Sequence, residues 1–247
     1  PVLATLVKGT DWSQLTEYLS PVFFQVVPPL KMAKKIKSLM GGYLSTAEFS
    51  KALAIIEPAL QRSALNVSLA SKVTAAKVTI PADEESLKRQ GNLVLRMYFW
   101  QILNLDVALL DFRRRAFNFG DEGLIWQPSS LFNYWDKEFI SSVRAMYVGF
   151  YLGKHETMDA ALRKLGLFQA KDILLDHFGS NQQNVRFRLA DFQATFHEVF
   201  VACKNARSEL NPDFLALGGM LACLYEHLEQ LDLEFDARTA FQEVITL

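Results

Sequence analysis

The 247-residue chain has only two cysteines, Cys203 and Cys223, and neither lies in a CxxC or in a Cys/His cluster with zinc-finger spacing. That excludes a disulfide scaffold and makes a reducing, cytoplasmic interior the expected compartment. Long hydrophobic runs are missing too: the longest strongly apolar stretch without charge, 214–225, is shorter than the roughly 18–20 residues a bilayer span needs. No transmembrane segment is expected. The start, Pro1-Val2-Leu3-Ala4-Thr5-Leu6-Val7-Lys8, has no basic leader and no small-residue cleavage site, which reads against a signal peptide. It also lacks an initiator Met, which suggests a processed product or a segment of a longer chain.

Charge of one sign is absent as well. The 26 basic and 27 acidic side chains leave a net charge of -1, and the isoelectric point near 6.5 gives no electrostatic footprint for nucleic acid. Strong catalytic signatures are lacking. GxGxxG and GxSxG do not occur, and 149–155 resembles a phosphate-binding loop only superficially, with three residues between its glycines, no Ser or Thr after Lys154 and no strand before it. The four histidines form no HxxxH or HExxH pattern, and none has a Glu three residues before it, so zincin and di-iron chemistries are disfavoured and no metal or cofactor is expected.

What is present is apolar. Half of the chain is hydrophobic and 19 residues are Phe, enough to offset the ordering entropy of folding. Apolar residues recur at helical spacing nearly throughout, and only 66–80 shows the alternation and β-branching of a strand. The expected fold is all-α: a single globular bundle of about nine helices with a minor β excursion near 66–80, and with an N-terminal subdomain, 1–80, packed on a helical core, 81–247.

Capping residues set the expected boundaries. Thr10 or Asp11 opens a first helix to 19; a second covers 30–40 and stops at Gly41-Gly42; Ser45 or Thr46 opens a third to 62, kinked at Pro58. Pro81-Ala82-Asp83-Glu84-Glu85 starts the longest helix, to about 117, because acidic residues complement the positive end of the helix dipole. An irregular connection follows over 118–128, then a helix from Ser129 or Ser130 to 152. Shorter helices cover 157–165 and 168–178, closed by Gly166 and Gly179, and the last three cover 189–208, 212–231 and the stretch from Asp236.

On a helix over 83–117, Asp106 falls on the apolar side, among Phe99, Ile102, Leu103, Leu109 and Leu110. A carboxylate there must be neutral, paired or aimed into a polar cavity. It is therefore either a ligand anchor or half of a cross-helix pair with Arg, Tyr or Trp. Cys223 and His227 share a helix face at i,i+4, either as a ligand pair or as a small core residue beside a polar boundary group. His177, near a helix C-terminus, is explained by the dipole favouring a protonated ring. Two Asp-x-x-x-Asp spacings, Asp172/Asp176 and Asp232/Asp236, place carboxylates on one helix face where Mg²⁺ could be shared, but the aspartate-rich signature of prenyl-chain enzymes is absent.

Charge is unevenly spread. Residues 1–79 hold nine Lys/Arg against four Asp/Glu, whereas 206–247 hold two against eight. Lys31, Lys34, Lys35 and Lys37 form a basic face that suits an anionic membrane or an acidic partner. Trp126, Phe132, Tyr134 and Trp135 gather in and after the expected irregular connection and suit an interface centre, as well as a core. The function these readings favour is a noncatalytic helical interaction or scaffold domain with a protein partner, using the aromatic segment and the lysine face. The alternative is a helical protein, or enzyme, that binds an apolar small molecule such as a lipid, isoprenoid or other cofactor, with Asp106 as buried polar anchor and His227 as a second ligand-binding candidate.

Overall fold

A computed structural model describes residues 20–70, 83–120, 123–179 and 184–245. The expected first helix, to residue 19, lies outside them, as does most of the β excursion after residue 70. The described chain is mostly α with minor β, as expected. In order, its elements are α1 (Phe23–Val26), α2 (Pro29–Tyr43), α3 (Thr46–Arg62), β1 (Val67–Leu69), α4 (Glu84–Asn104), β2 (Val107–Leu109), β3 (Phe117–Gly120), β4 (Gly123–Trp126), β5 (Phe132–Tyr134), α5 (Lys137–Tyr151), α6 (His155–Leu165), α7 (Lys171–His177), β6 (Val185–Arg186), α8 (Leu189–Asn205), α9 (Phe214–Glu229), β7 (Glu234–Phe235) and α10 (Ala237–Ile245).

Local chemistry sets many of these ends. Ser45, Asp83 and Asp136 accept hydrogen bonds from the backbone N–H groups of Glu48, Ser86 and Phe139, at 3.3, 2.8 and 2.9 Å, satisfying donors that have no intrahelical partner. Asp236 caps α10 in the same way, accepting from Thr239 N at 2.8 Å. Gly166 ends α6 with φ of 74°, a left-handed conformation that costs other residues a Cβ clash. Pro58 is inside α3, as the spacing predicts. The end of α2 differs from expectation. Helix α2 passes through both glycines to Tyr43, and a Cβ on Gly42 would stand 3.0 Å from Phe132 Cζ. That glycine serves close approach, not termination.

The largest difference lies between 104 and 136. Helix α4 stops at Asn104, and Val107-Ala108-Leu109 forms a strand buried on both faces, paired antiparallel with β5 in the register Val107↔Tyr134 and Leu109↔Phe132. A short continuous apolar run suits a buried strand and a buried helix equally, so periodicity alone does not separate them. The expected irregular connection is instead the β3–β4 hairpin, Phe117↔Trp126, with β1 added parallel to β4. Helix α5 accordingly starts after Asp136, not at Ser129 or Ser130.

Buried apolar side chains from Phe23 to Val244 form one contiguous core. Helices α4 and α9 lie within it: α4 is buried nearly all round from Leu93 to Ile102, and α9 from Phe214 to Leu228. Among the described residues thirteen phenylalanines are buried, so most of the Phe surplus is core packing. Phe99 meets Tyr147, Tyr151 and Phe241 edge-on, with ring centroids 5.7, 5.4 and 5.4 Å away, a favoured aromatic arrangement.

Candidate functional site

Several interior polar groups converge on the segment after α4, from that segment itself and from α4 and α9, and hold it in place. Gln101, fully buried, clamps Leu109 by accepting from its N–H at 3.0 Å and donating to its carbonyl at 3.3 Å. Arg113 makes a bidentate pair with Asp111, Nε to Oδ1 and Nη2 to Oδ2 both at 2.7 Å, with both side chains almost without solvent contact. Trp126 Nε1 donates to the Asp111 carbonyl at 3.3 Å. His227, also fully buried, uses Nδ1 on the Phe112 carbonyl at 3.0 Å and Nε2 on Gln90 Nε2 at 3.1 Å. Because the carbonyl can only accept, Nδ1 carries the proton and Nε2 accepts from the Gln90 amide.

These contacts correct the expectations placed on His227 and Asp106. His227 is an interior group, not a boundary one, and burial lowers its pKa to about 4. Both ring nitrogens are committed to the protein, which leaves neither for a ligand. The helix that would have placed Asp106 on an apolar face ends two residues before it. Its side chain is 63% exposed and pairs with Arg144 at 3.1 Å. Arg144 also donates to the carbonyls of Ile102 and Leu105, at 2.7 and 2.8 Å, so it satisfies the end of α4. Asp106 has lost the buried setting of a ligand anchor.

The aromatic segment is largely interior. Trp126 is fully buried, Phe132 and Trp135 are 5% exposed, and only Tyr134 reaches solvent, at 44%. Phe132 and Tyr134 share one face of β5, with ring centroids 5.8 Å apart; Phe132 is covered by Phe49 and lies against Gly42, whereas Tyr134, at the end of the strand, stays open to solvent. The lysine face also divides. Lys35 points back, donating to Asn133 and ion-paired with Asp213, whose other carboxylate oxygen accepts from Asp136 N at 2.7 Å. Lys31, Lys34 and Lys37 are exposed.

The nucleophile candidates are quiescent. Burial pushes the Cys203 thiol up to about 11 and the Cys223 thiol higher still, which keeps both protonated near neutral pH.

A cleft of about 680 Å³ opens between α7, the start of α8, β6 and β7, with Tyr225 of α9 at its base. Asp172 and Asp176 sit at i,i+4 on α7; Asp191 and Glu198 sit at i,i+7 on α8, with Thr195 between them; Glu234 comes from β7. The spacing puts each helix's carboxylates on one face. Arg186 and Arg188 also line the cleft, and Arg186 is engaged by Asp232 at 2.6 Å. At the base, Tyr225 Oη and His177 Nε2 are 2.8 Å apart, and His177 Nδ1 lies 3.1 Å from Thr195 Oγ1. The His177 and Tyr225 rings stack with an interplanar angle of 14°.

The helix dipole does not protonate His177. Burial outweighs it, and the neighbouring Asp191 only partly compensates, leaving the pKa near 4. Sequence spacing finds the Asp172/Asp176 pair; it gives no signal for the opposing wall or for Tyr225. Among the described residues no group of three or more His, Cys, Asp or Glu side chains is placed to hold a metal ion. The second aspartate pair is dispersed, Asp232 toward Arg186 and Asp236 into the cap of α10. No described helix is long and apolar enough to cross a membrane.

Comparison of the chain with protein-family models and with curated proteins gives no match.

Proposed function

We propose that this chain is a noncatalytic α-helical interaction domain that receives a basic segment of a partner protein in the cleft between α7 and α8. The observation that carries this reading is the rim: Asp172, Asp176, Asp191, Glu198 and Glu234 face one concavity with two arginines, one of them already engaged by Asp232. A lysine- or arginine-rich peptide meets complementary charge there. Its aliphatic stems have Ile173, Val185 and the Tyr225 ring to lie against. A noncatalytic role is supported by two protonated thiols and by two histidines whose ring nitrogens are all occupied by protein groups.

The test is fluorescence anisotropy of labelled oligolysine and oligoarginine peptides against the full chain, with oligoglutamate as control. Saturable binding of the basic peptides that weakens with salt is expected, since a partly exposed charged cleft is screened on a Debye length of about 8–10 Å at physiological ionic strength. Binding that Asp172→Lys/Asp176→Lys leaves intact would place the basic segment elsewhere and refute the reading.

A further inference from the structure

Helix α2 turns two different faces to the core and to solvent. Met32 and Leu39 are buried, Ile36, Met40 and Tyr43 are half-buried, and Lys35 joins this inner side through Asn133 and Asp213. At 100° per residue, the opposite side gathers Leu30, Lys34, Lys37, Gly41 and Leu44 into a single stripe about 21 Å long at 1.5 Å per residue. Its two leucines are 70% and 73% exposed, the most exposed large apolar side chains described. A Cβ on Gly41 would meet nothing within 4 Å, so the surface between the lysines and Leu44 is low and open.

The charge on this helix has one sign. Pro29–Tyr43 contains no Asp or Glu, and among the described residues Lys34 and Lys37 have no acidic partner. Lys31, on the flank of the stripe, stands 3.8 Å from Glu209 with both side chains largely in solvent, a pairing of little strength.

We infer that the α2 stripe docks on an anionic lipid bilayer, with Leu30 and Leu44 entering the headgroup–acyl boundary and Lys34 and Lys37 meeting lipid phosphates. This goes beyond the cleft reading and uses a different surface. A bilayer fits better than an acidic polypeptide because the leucines stand singly at the two ends of an open ridge. A protein partner would have to offer a pocket for each at a fixed separation, whereas a bilayer accepts isolated apolar side chains anywhere along a flat face. Lysines beside them keep their ammonium groups at headgroup level while their stems lie on apolar surface. Since Met32 and Leu39 anchor α2 in the core, the stripe is already ordered before docking.

Co-sedimentation of the full chain with phosphatidylcholine vesicles and with vesicles also containing phosphatidylserine tests this. The chain is expected to partition onto the phosphatidylserine vesicles and to be released by salt. Lys34→Gln/Lys37→Gln lowers the partition coefficient about 30-fold, from the surface attraction of each lysine, and Leu30→Ser/Leu44→Ser lowers it about tenfold by removing apolar insertion. All four positions are exposed, so unchanged melting of both variants confirms that they are folded. No partitioning, equal partitioning onto neutral vesicles, or variants that bind like the parent would overturn the inference. Capture of polyglutamate that depends on Lys34 and Lys37, without vesicle binding, would also overturn it and give the stripe to an acidic polypeptide.

Discussion

The interior seam around Asp111 and the cleft around Asp176 are built from the same residue types and do opposite things. In the seam, a carboxylate, a guanidinium, an imidazole and two amides are buried, and their hydrogen bonds go mostly to one another and to the backbone of 109–113. In the cleft, the base is committed through His177, Tyr225 and Thr195 and Arg186 is held by Asp232, while the carboxylates stand exposed at the rim. Burial with partners makes polar groups part of the fold; exposure around a concavity leaves them for something else.

The sharpest way to break this contrast is to damage the seam. Asp111→Ala removes the bidentate partner of a buried guanidinium and should cost about 3–5 kcal/mol, measured by urea unfolding. Loss of under 1 kcal/mol would show the pair to be dispensable. Next comes pH. Burial holds His177 and His227 near 4, against 6.5 for an ordinary imidazole, so the unfolded chain takes up these protons first. Their contribution to stability is whole above pH 6.5 and is lost as pH falls toward 4. The slope of unfolding free energy across that window should flatten in His177→Gln and again in His177→Gln/His227→Gln; an unchanged slope would mean that other groups set it.

Smaller effects separate Arg144 from Asp106. Arg144→Ala uncaps the Ile102 and Leu105 carbonyls and should cost about 1–2 kcal/mol. Asp106→Ala touches only the exposed pair and should stay within about 1 kcal/mol, read as a shift in melting temperature. The smallest stability change belongs to the rim: Asp176→Lys/Glu198→Lys should leave unfolding within about 0.5 kcal/mol of the parent while abolishing binding of a basic peptide.

The seam and the cleft were unequally legible in the sequence. Helix starts at Ser45, Asp83 and Asp236 and the stop at Gly166 follow from side-chain caps and a left-handed turn, chemistry confined to a few neighbouring residues. A helix carried through 83–117 misplaces Asp106, because at Val107-Ala108-Leu109 pairing with 132–134 wins; that pairing is non-local and leaves no period in the sequence. Trp126, Phe132 and Trp135 look like interface residues until the β3–β4 hairpin and the pairing of β5 with β2 place them in the interior. The cleft was half visible. Asp172 and Asp176 are adjacent on one helix, but Asp191, Glu198, Tyr225 and Glu234 reach them only through the packing of α7, α8 and α9 and the pairing of β6 with β7.

The cleft carboxylates stand open to a ligand, whereas the interior Asp111 is committed to the fold. Carboxyl-detected NMR of the full chain titrated with an oligolysine peptide tests it most directly. The side-chain signals of Asp172, Asp176, Asp191 and Glu198 should move together and saturate, while Asp111 stays still. Shifts scattered over exposed carboxylates such as Asp106, with no common saturation at the cleft, would contradict it.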